Sequence, residues 1–229
     1  MLLNLVLAAG ETPTMSLLDA FIHEWFVNIP MVLMSIFGFG VFGERIWALK
    51  KIKESYGAFH DDILGMVNEG KFDQAVAACE GNFPGELYGA VLRGRGRTLA
   101  GLMPVIERKM AAEMERVKKL VWFIGSMGTL TPFIGLLGTV VGIIVCFQAM
   151  ASGGGGGMQV VGPGIASALV ATGLGLCIGI FSVFCFNVIN VKIGHLNTEM
   201  RNNVEELAET VVMQAAKAAP RKPTATTGV

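Results

Sequence analysis

The chain has 229 residues, of which 52% are hydrophobic and only 16% charged. With a mean hydropathy of +0.57 and 30 glycines, it has the composition of a membrane protein. The formal net charge is zero, which leaves no global basic signal for nucleic acid. The four cysteines (Cys79, Cys146, Cys177 and Cys185) show neither metal spacing nor a disulfide pattern, and they read as small core residues.

Taken in chain order, the opening MLLNLVLAAG has no basic residue and only a short apolar core. It therefore reads as an outside segment over 1–16 rather than a cleaved leader. Pro13 and Ser16 punctuate it before a helix from Leu17. The first transmembrane helix is expected over 17–49, with its apolar core between Trp25 and Leu49. Glu44 and Arg45 near its far end read as an interfacial anchor. A helical cytoplasmic region follows over 50–119. It holds two short amphipathic stretches, KFDQAVAACE and ELYGAVLRGR, separated by the breaker GNFPG. After Met103, PVIERKMAAEMERVKKL is rich in helix formers and is expected to run on unbroken into the next span.

From Leu120 to Val191 there are 72 residues without one Asp, Glu, Lys or Arg. Two spans fit there, 120–150 and 161–191, joined by an outside glycine-rich turn over 151–160. At 31 residues each, either helix would be about 46 Å long. A hydrocarbon core is about 30 Å thick, so both tilt or project beyond it. A cytoplasmic helix over 192–219 and a polar tail over 220–229 complete the chain. Thirteen of the 18 Lys and Arg residues lie between Arg45 and Lys119, and the other five follow the third span. That division makes both regions cytoplasmic and puts the N-terminus outside. The expected fold class is an all-α membrane protein with three transmembrane helices, two of them long and extending into the cytoplasm.

Small residues recur at spacings of three and four in both long spans. In the first they are Gly128, Thr131, Gly135, Gly138, Gly142 and Ala149. In the second they are Gly164, Ala168, Ala171, Gly175, Gly179 and Ser182. Close packing of membrane helices accounts for both stripes, with Gly135, Gly138, Gly142, Gly175 and Gly179 as contact points. Thr129 and Thr131 precede the helix-bending Pro132 and suit hydroxyl bonds back to their own helix. Thr139 and Thr172 lie midway along antiparallel spans, where a ring of hydroxyls serves a proton carrier without carrying charge.

The long spans hold no ionisable acid or base, although a proton-driven device normally needs one in the membrane. His23, His60 and His195 fall outside the spanning cores and read as surface residues. No P-loop, dinucleotide fingerprint or nucleophile elbow is present, so no enzyme, metal site or cofactor is expected.

PFIGLLGTVVGI followed by PGIASALVATGLGL resembles the signature of the ExbB/TolQ/MotA family of proton-channel stator subunits. Three expected spans, Glu44-Arg45 and CEGNFPGELYGAVLRG also match, over roughly residues 17 to 210, and three spans favour the ExbB/TolQ branch. The resemblance implies a homo-oligomer, typically a pentamer, around a central pore. It implies a single-span ExbD/TolR-like partner that carries a membrane aspartate, and an inner-membrane location. It places Thr139, Thr172 and Ser167 along the ion path. The transported ion would be H+, with Na+ the alternative. The work done would be transport, envelope integrity or gliding motility through a TonB-like or motility protein. Two positions depart from the pattern. Family members commonly read GIAEAL where this chain reads GIASAL, so Ser167 replaces a glutamate, and Phe181 stands at the usual proline. Two other functions are open to such a chain: a self-contained ion channel or transporter, and a membrane scaffold whose glycine stripes only pack.

Overall fold

The structure is a computed structural model that describes residues 21–22, 24–81, 84–152 and 157–218, without the side chains of 158–160 and 216–218. The expected outside segment over 1–16, the tail over 220–229, His23 and the turn residues 153–156 lie outside these. The described residues are helical, with no strand among them. In chain order the helices are α1 (Trp25–Asn68), α2 (Phe72–Ala78), α3 (Gly85–Arg93), α4 (Leu99–Val117), α5 (Val121–Ala151) and α6 (Gly157–Ala218). Three of them, α1, α5 and α6, are long and apolar enough to cross a membrane.

Several limits differ from those read in the sequence. α1 does not stop near Leu49 but runs 44 residues in all to Asn68; KKIKESYGAFHDDILGMVN holds no proline, and Gly57 and Gly65 lie within the helix. α6 starts at Gly157 rather than near Val161 and continues for 62 residues. α4 does not run on into α5. It ends at Val117, and Leu120 takes a left-handed backbone conformation at φ 64° before α5 begins. Such a conformation costs a side-chain-bearing residue about 1–2 kcal/mol.

The contacts divide the chain into two units, the first comprising 1–44 and 120–188. In it, one face of α1 (Val27, Asn28, Met31, Gly38 and Val41) is buried. Side chains on this face meet glycines or lie opposite them. Val27 touches the Cβ position of Gly138, and Met127 of α5 fills the space beside Gly38. Burial here comes from small residues admitting large ones, as membrane helices require. The other faces carry exposed Leu33, Ile36, Leu130, Phe133, Leu169 and Ile180. Between 28% and 33% of each span's most apolar window is buried, so most of that surface remains for lipid or neighbouring helices.

The second unit comprises 45–119 and 189–229. It is packed like a soluble helical domain, with Ile63, Leu87, Leu102, Ile106, Met200, Leu207 and Val211 at its centre. Tyr88 is fully buried, with the rings of Tyr56, Phe59 and His60 at 5.6, 5.3 and 5.9 Å. His60 is not a surface residue as expected but is 6% exposed. Its Nδ1 lies 3.0 Å from the Tyr88 hydroxyl and its Nε2 3.5 Å from a Glu206 carboxylate oxygen. Those partners sit on α3 and α6, which explains why its own neighbourhood in the sequence does not betray the burial. His195 is exposed as expected.

Candidate functional site

The site is the α5–α6 hairpin, where backbones approach closely enough to exclude side chains. A Cβ at Gly175 would stand 2.6 Å from the Thr131 carbonyl oxygen, and one at Gly135 3.0 Å from the Ala171 carbonyl oxygen and from Thr172 Cα. A Cβ at Gly179 would meet the Pro132 ring at 2.7 Å. Since the atoms at Gly135 and Gly175 are backbone, they cannot swing aside. On α5 the buried stripe runs through Gly128, Thr131, Gly135, Gly138 and Gly142 but ends on Cys146, not on Ala149, which is exposed. On α6 the buried positions are Gly164, Ala168, Ala171, Gly175, Gly179 and Ser182.

The two mid-span threonines do different things. Thr172 donates its hydroxyl across the hairpin to the Gly135 carbonyl, at 2.8 Å. Only a glycine at 135 lets the helices come near enough for that reach. Thr139 instead donates to the Leu136 carbonyl of its own helix, at 2.7 Å. Each hydroxyl thus rests on a backbone acceptor, and the two acceptors, Gly135 and Leu136, are consecutive residues of α5. Ser167 is buried and donates to Gly164 at 2.9 Å. Thr131 and Thr129 bond back to Met127 and Ser126, as membrane threonines commonly do. Pro132 lies inside α5. Glu44 is exposed and Arg45 half-buried, at neighbouring positions of α1. Cys79, Cys146 and Cys185 are buried, but Cys177 is exposed, because it lies on the outward side of α6.

Sequence reasoning missed one group. Glu24, immediately before α1, is 3% exposed. A Cβ at Gly142 would stand 2.6 Å from its Oε1 and 2.8 Å from the Ala168 Cβ. The carboxyl therefore fills the notch that Gly142 leaves beside α6. Asn28, one turn on, is fully buried; its amide donates to the Phe21 carbonyl at 2.8 Å. The signal was a Glu and an Asn four residues apart at the lip of an apolar run, which places both on one helix face. Among the described residues, no group of three His, Cys, Asp or Glu side chains is placed to hold a metal.

The sequence profile of the MotA/TolQ/ExbB proton channel family matches residues 87–202, about half of the chain. The Tol-Pal system protein TolQ of Haemophilus influenzae is 32% identical over 122 residues, which cover 53% of this chain and 54% of that protein. TolQ of Pseudomonas aeruginosa is 30% identical over 160 residues, covering 66% and 64%. The biopolymer transport protein ExbB of Salmonella typhimurium is 37% identical over 89 residues, covering 39% and 36%. The matches thus span about a third to two thirds of the length of these relatives. The profile match takes in both glycine-threonine spans of the hairpin, and the chain belongs to the MotA/TolQ/ExbB proton channel family, near its ExbB/TolQ branch.

Proposed function

We propose that the chain is a stator subunit of the inner membrane, converting an ion-motive force into mechanical work through a partner. In this reading it forms a homo-oligomer, a pentamer by family precedent, around a pore occupied by a single-span ExbD/TolR-like helix. The carrying observation is the hairpin itself: two glycine-lined helices with mid-span hydroxyls, inside 72 residues that hold no Asp, Glu, Lys or Arg. Such a wall offers hydrogen bonds to a carboxyl without the desolvation cost of a permanent charge. The exposed apolar faces of α1, α5 and α6 supply surface for neighbouring subunits and lipid.

The partner's membrane aspartate then takes up and releases the ion, H+ or Na+, with Thr139 and Thr172 along its path. Each unit charge crossing 100 mV makes about 2.3 kcal/mol available. The work is delivered to an envelope process: transport, envelope integrity or gliding motility through a TonB-like or motility protein. The N-terminus lies outside and the C-terminus in the cytoplasm, following the Lys and Arg distribution.

The test is reconstitution in liposomes. The chain together with a single-span partner should conduct ions, and replacing the partner's membrane aspartate by asparagine should stop the flux. Flux from the purified chain alone would overturn the reading in favour of a self-contained channel.

A further inference from the structure

Glu24 is an acid held against the hairpin, well inside its outer end. Gly142, which the carboxyl abuts, is nine residues before the end of α5 at Ala151, or about 14 Å along the helix. Thr139 lies one turn further in on the same helix, about 4.5 Å along it. Ala168, on the other side of the notch, is next in sequence to the buried Ser167. Glu24 stands immediately before the span that begins at Trp25, yet it is buried, and a buried acid at the end of a membrane span is costly to keep and is by default a functional-site candidate.

A second, independent observation lies at Asn28. Its Oδ1 is buried and has no hydrogen-bond donor. It stands one turn from Glu24, whose backbone carbonyl accepts the Asn28 N–H at 3.0 Å. A carboxylate and an amide oxygen at this spacing on one face are hard oxygen ligands suited to a small monovalent cation or a hydrated proton. Among the described residues, α5 and the spanning part of α6, whose Gly142 and Ala168 flank the Glu24 carboxyl, contain no Asp, Glu, Lys, Arg or His. α5 and the spanning part of α6 offer only thiols as titratable groups, and the buried Cys146 is the thiol one turn from Gly142.

We propose that Glu24, with Asn28, is a cation-binding carboxyl site on the outer half of the conduction path, loading the transported H+ or Na+ one turn outside Thr139. The inference rests on the stator reading for its purpose but not for its chemistry. The carboxylate takes up one proton to become a carboxylic acid, or holds one Na+, and releases the same ion inward. No other group is consumed. Gly142 is needed because any side chain there would take the carboxyl's place.

The full-length chain in liposomes is treated with a hydrophobic carbodiimide, which captures protonated carboxyls in apolar surroundings, and Glu24 is followed by mass spectrometry. Modification of Glu24 is expected, falling as pH is raised and absent in Glu24→Gln. Protection by sodium at fixed pH assigns Na+; protection by pH alone assigns the proton. Failure to modify Glu24 at any pH down to about 5 overturns the proposal, whatever the complex conducts. In the complex with its partner, Glu24→Gln is expected to assemble and to lower flux roughly tenfold or more. Wild-type flux in that assembled variant also overturns it. A wild-type complex that conducts nothing would instead sink the stator reading, while the labelling still decides whether Glu24 binds a cation. If Glu24→Gln does not assemble, labelling of the wild type decides alone, and Gly142→Ala is expected to change its extent.

Discussion

The Thr172 hydroxyl lies 2.8 Å from the Gly135 carbonyl oxygen, a side chain of α6 bonded to the backbone of α5. That bond joins the two spans, whereas the Thr139 hydroxyl is bonded within its own turn. Two threonines that look equivalent in sequence therefore separate into one that fastens the hairpin and one that does not.

Thr172→Val should accordingly lower the stability of the hairpin by about 1 kcal/mol, near the usual worth of an interhelical bond in a membrane. Thr172→Ser should restore most of it. Thr139→Val loses only a bond to its own helix and should change stability by less than about 0.5 kcal/mol. If both hydroxyls line the ion path, both valine variants reduce flux, and Thr139→Val does so without a stability defect. Denaturant unfolding in micelles, paired with flux of the assembled complex, separates the two effects. A stability loss in Thr139→Val equal to that in Thr172→Val would contradict the assignment.

How much of this was legible beforehand depends on where the deciding partners sit. The charge-free run from Leu120 to Val191 marks two spans directly, since no other environment tolerates it. The small-residue stripes mark the contact faces, because membrane helices approach through glycine. The break at Leu120 left no mark: ERVKKL is a good helix sequence, with no glycine, asparagine or proline to signal a positive φ. Burial of His60 depends on Tyr88 and Glu206, which lie 28 and 146 positions away, beyond any local pattern. Glu24 escaped because an apolar window that begins at Trp25 stops one residue short of it.

The glycines of the hairpin should differ sharply under alanine substitution. At Gly175 the new Cβ would meet the Thr131 carbonyl oxygen at 2.6 Å, and the backbone on both sides must move. Gly175→Ala should destabilise the protein by about 1–3 kcal/mol or more. At Gly173, two residues earlier, nothing lies within 4 Å. Gly173→Ala should leave the isolated subunit at least as stable, since alanine is the better helix former by about 1 kcal/mol. Unfolding in micelles checks both, and a Gly175→Ala protein as stable as wild type would refute the close approach. Oligomer mass adds a second readout: if Gly173→Ala disrupts assembly without destabilising the subunit, that face of α6 meets a neighbour.

Glu113 offers a test in the second unit, where solvent and titration are accessible. It lies in α4, 4% exposed, and burial holds its carboxyl above the usual carboxylate range, with Arg116 at 3.2 Å pulling the other way. In the unfolded chain the same carboxyl titrates near 4.5. Below that pH both states are protonated, and the folded protein keeps its full stability. As pH rises through the elevated folded value, the unfolded state has already lost its proton more readily, and stability falls. Glu113→Gln removes this penalty and keeps the shape. The ion pair it sacrifices is worth at most about 1 kcal/mol, since Arg116 is largely exposed. The variant should therefore gain on wild type as pH rises from about 4.5 towards neutrality, and the advantage should disappear on acidification. Unfolding midpoints across that range measure it. A difference between the two proteins that does not vary with pH would show that burial of this carboxyl is not what sets its titration.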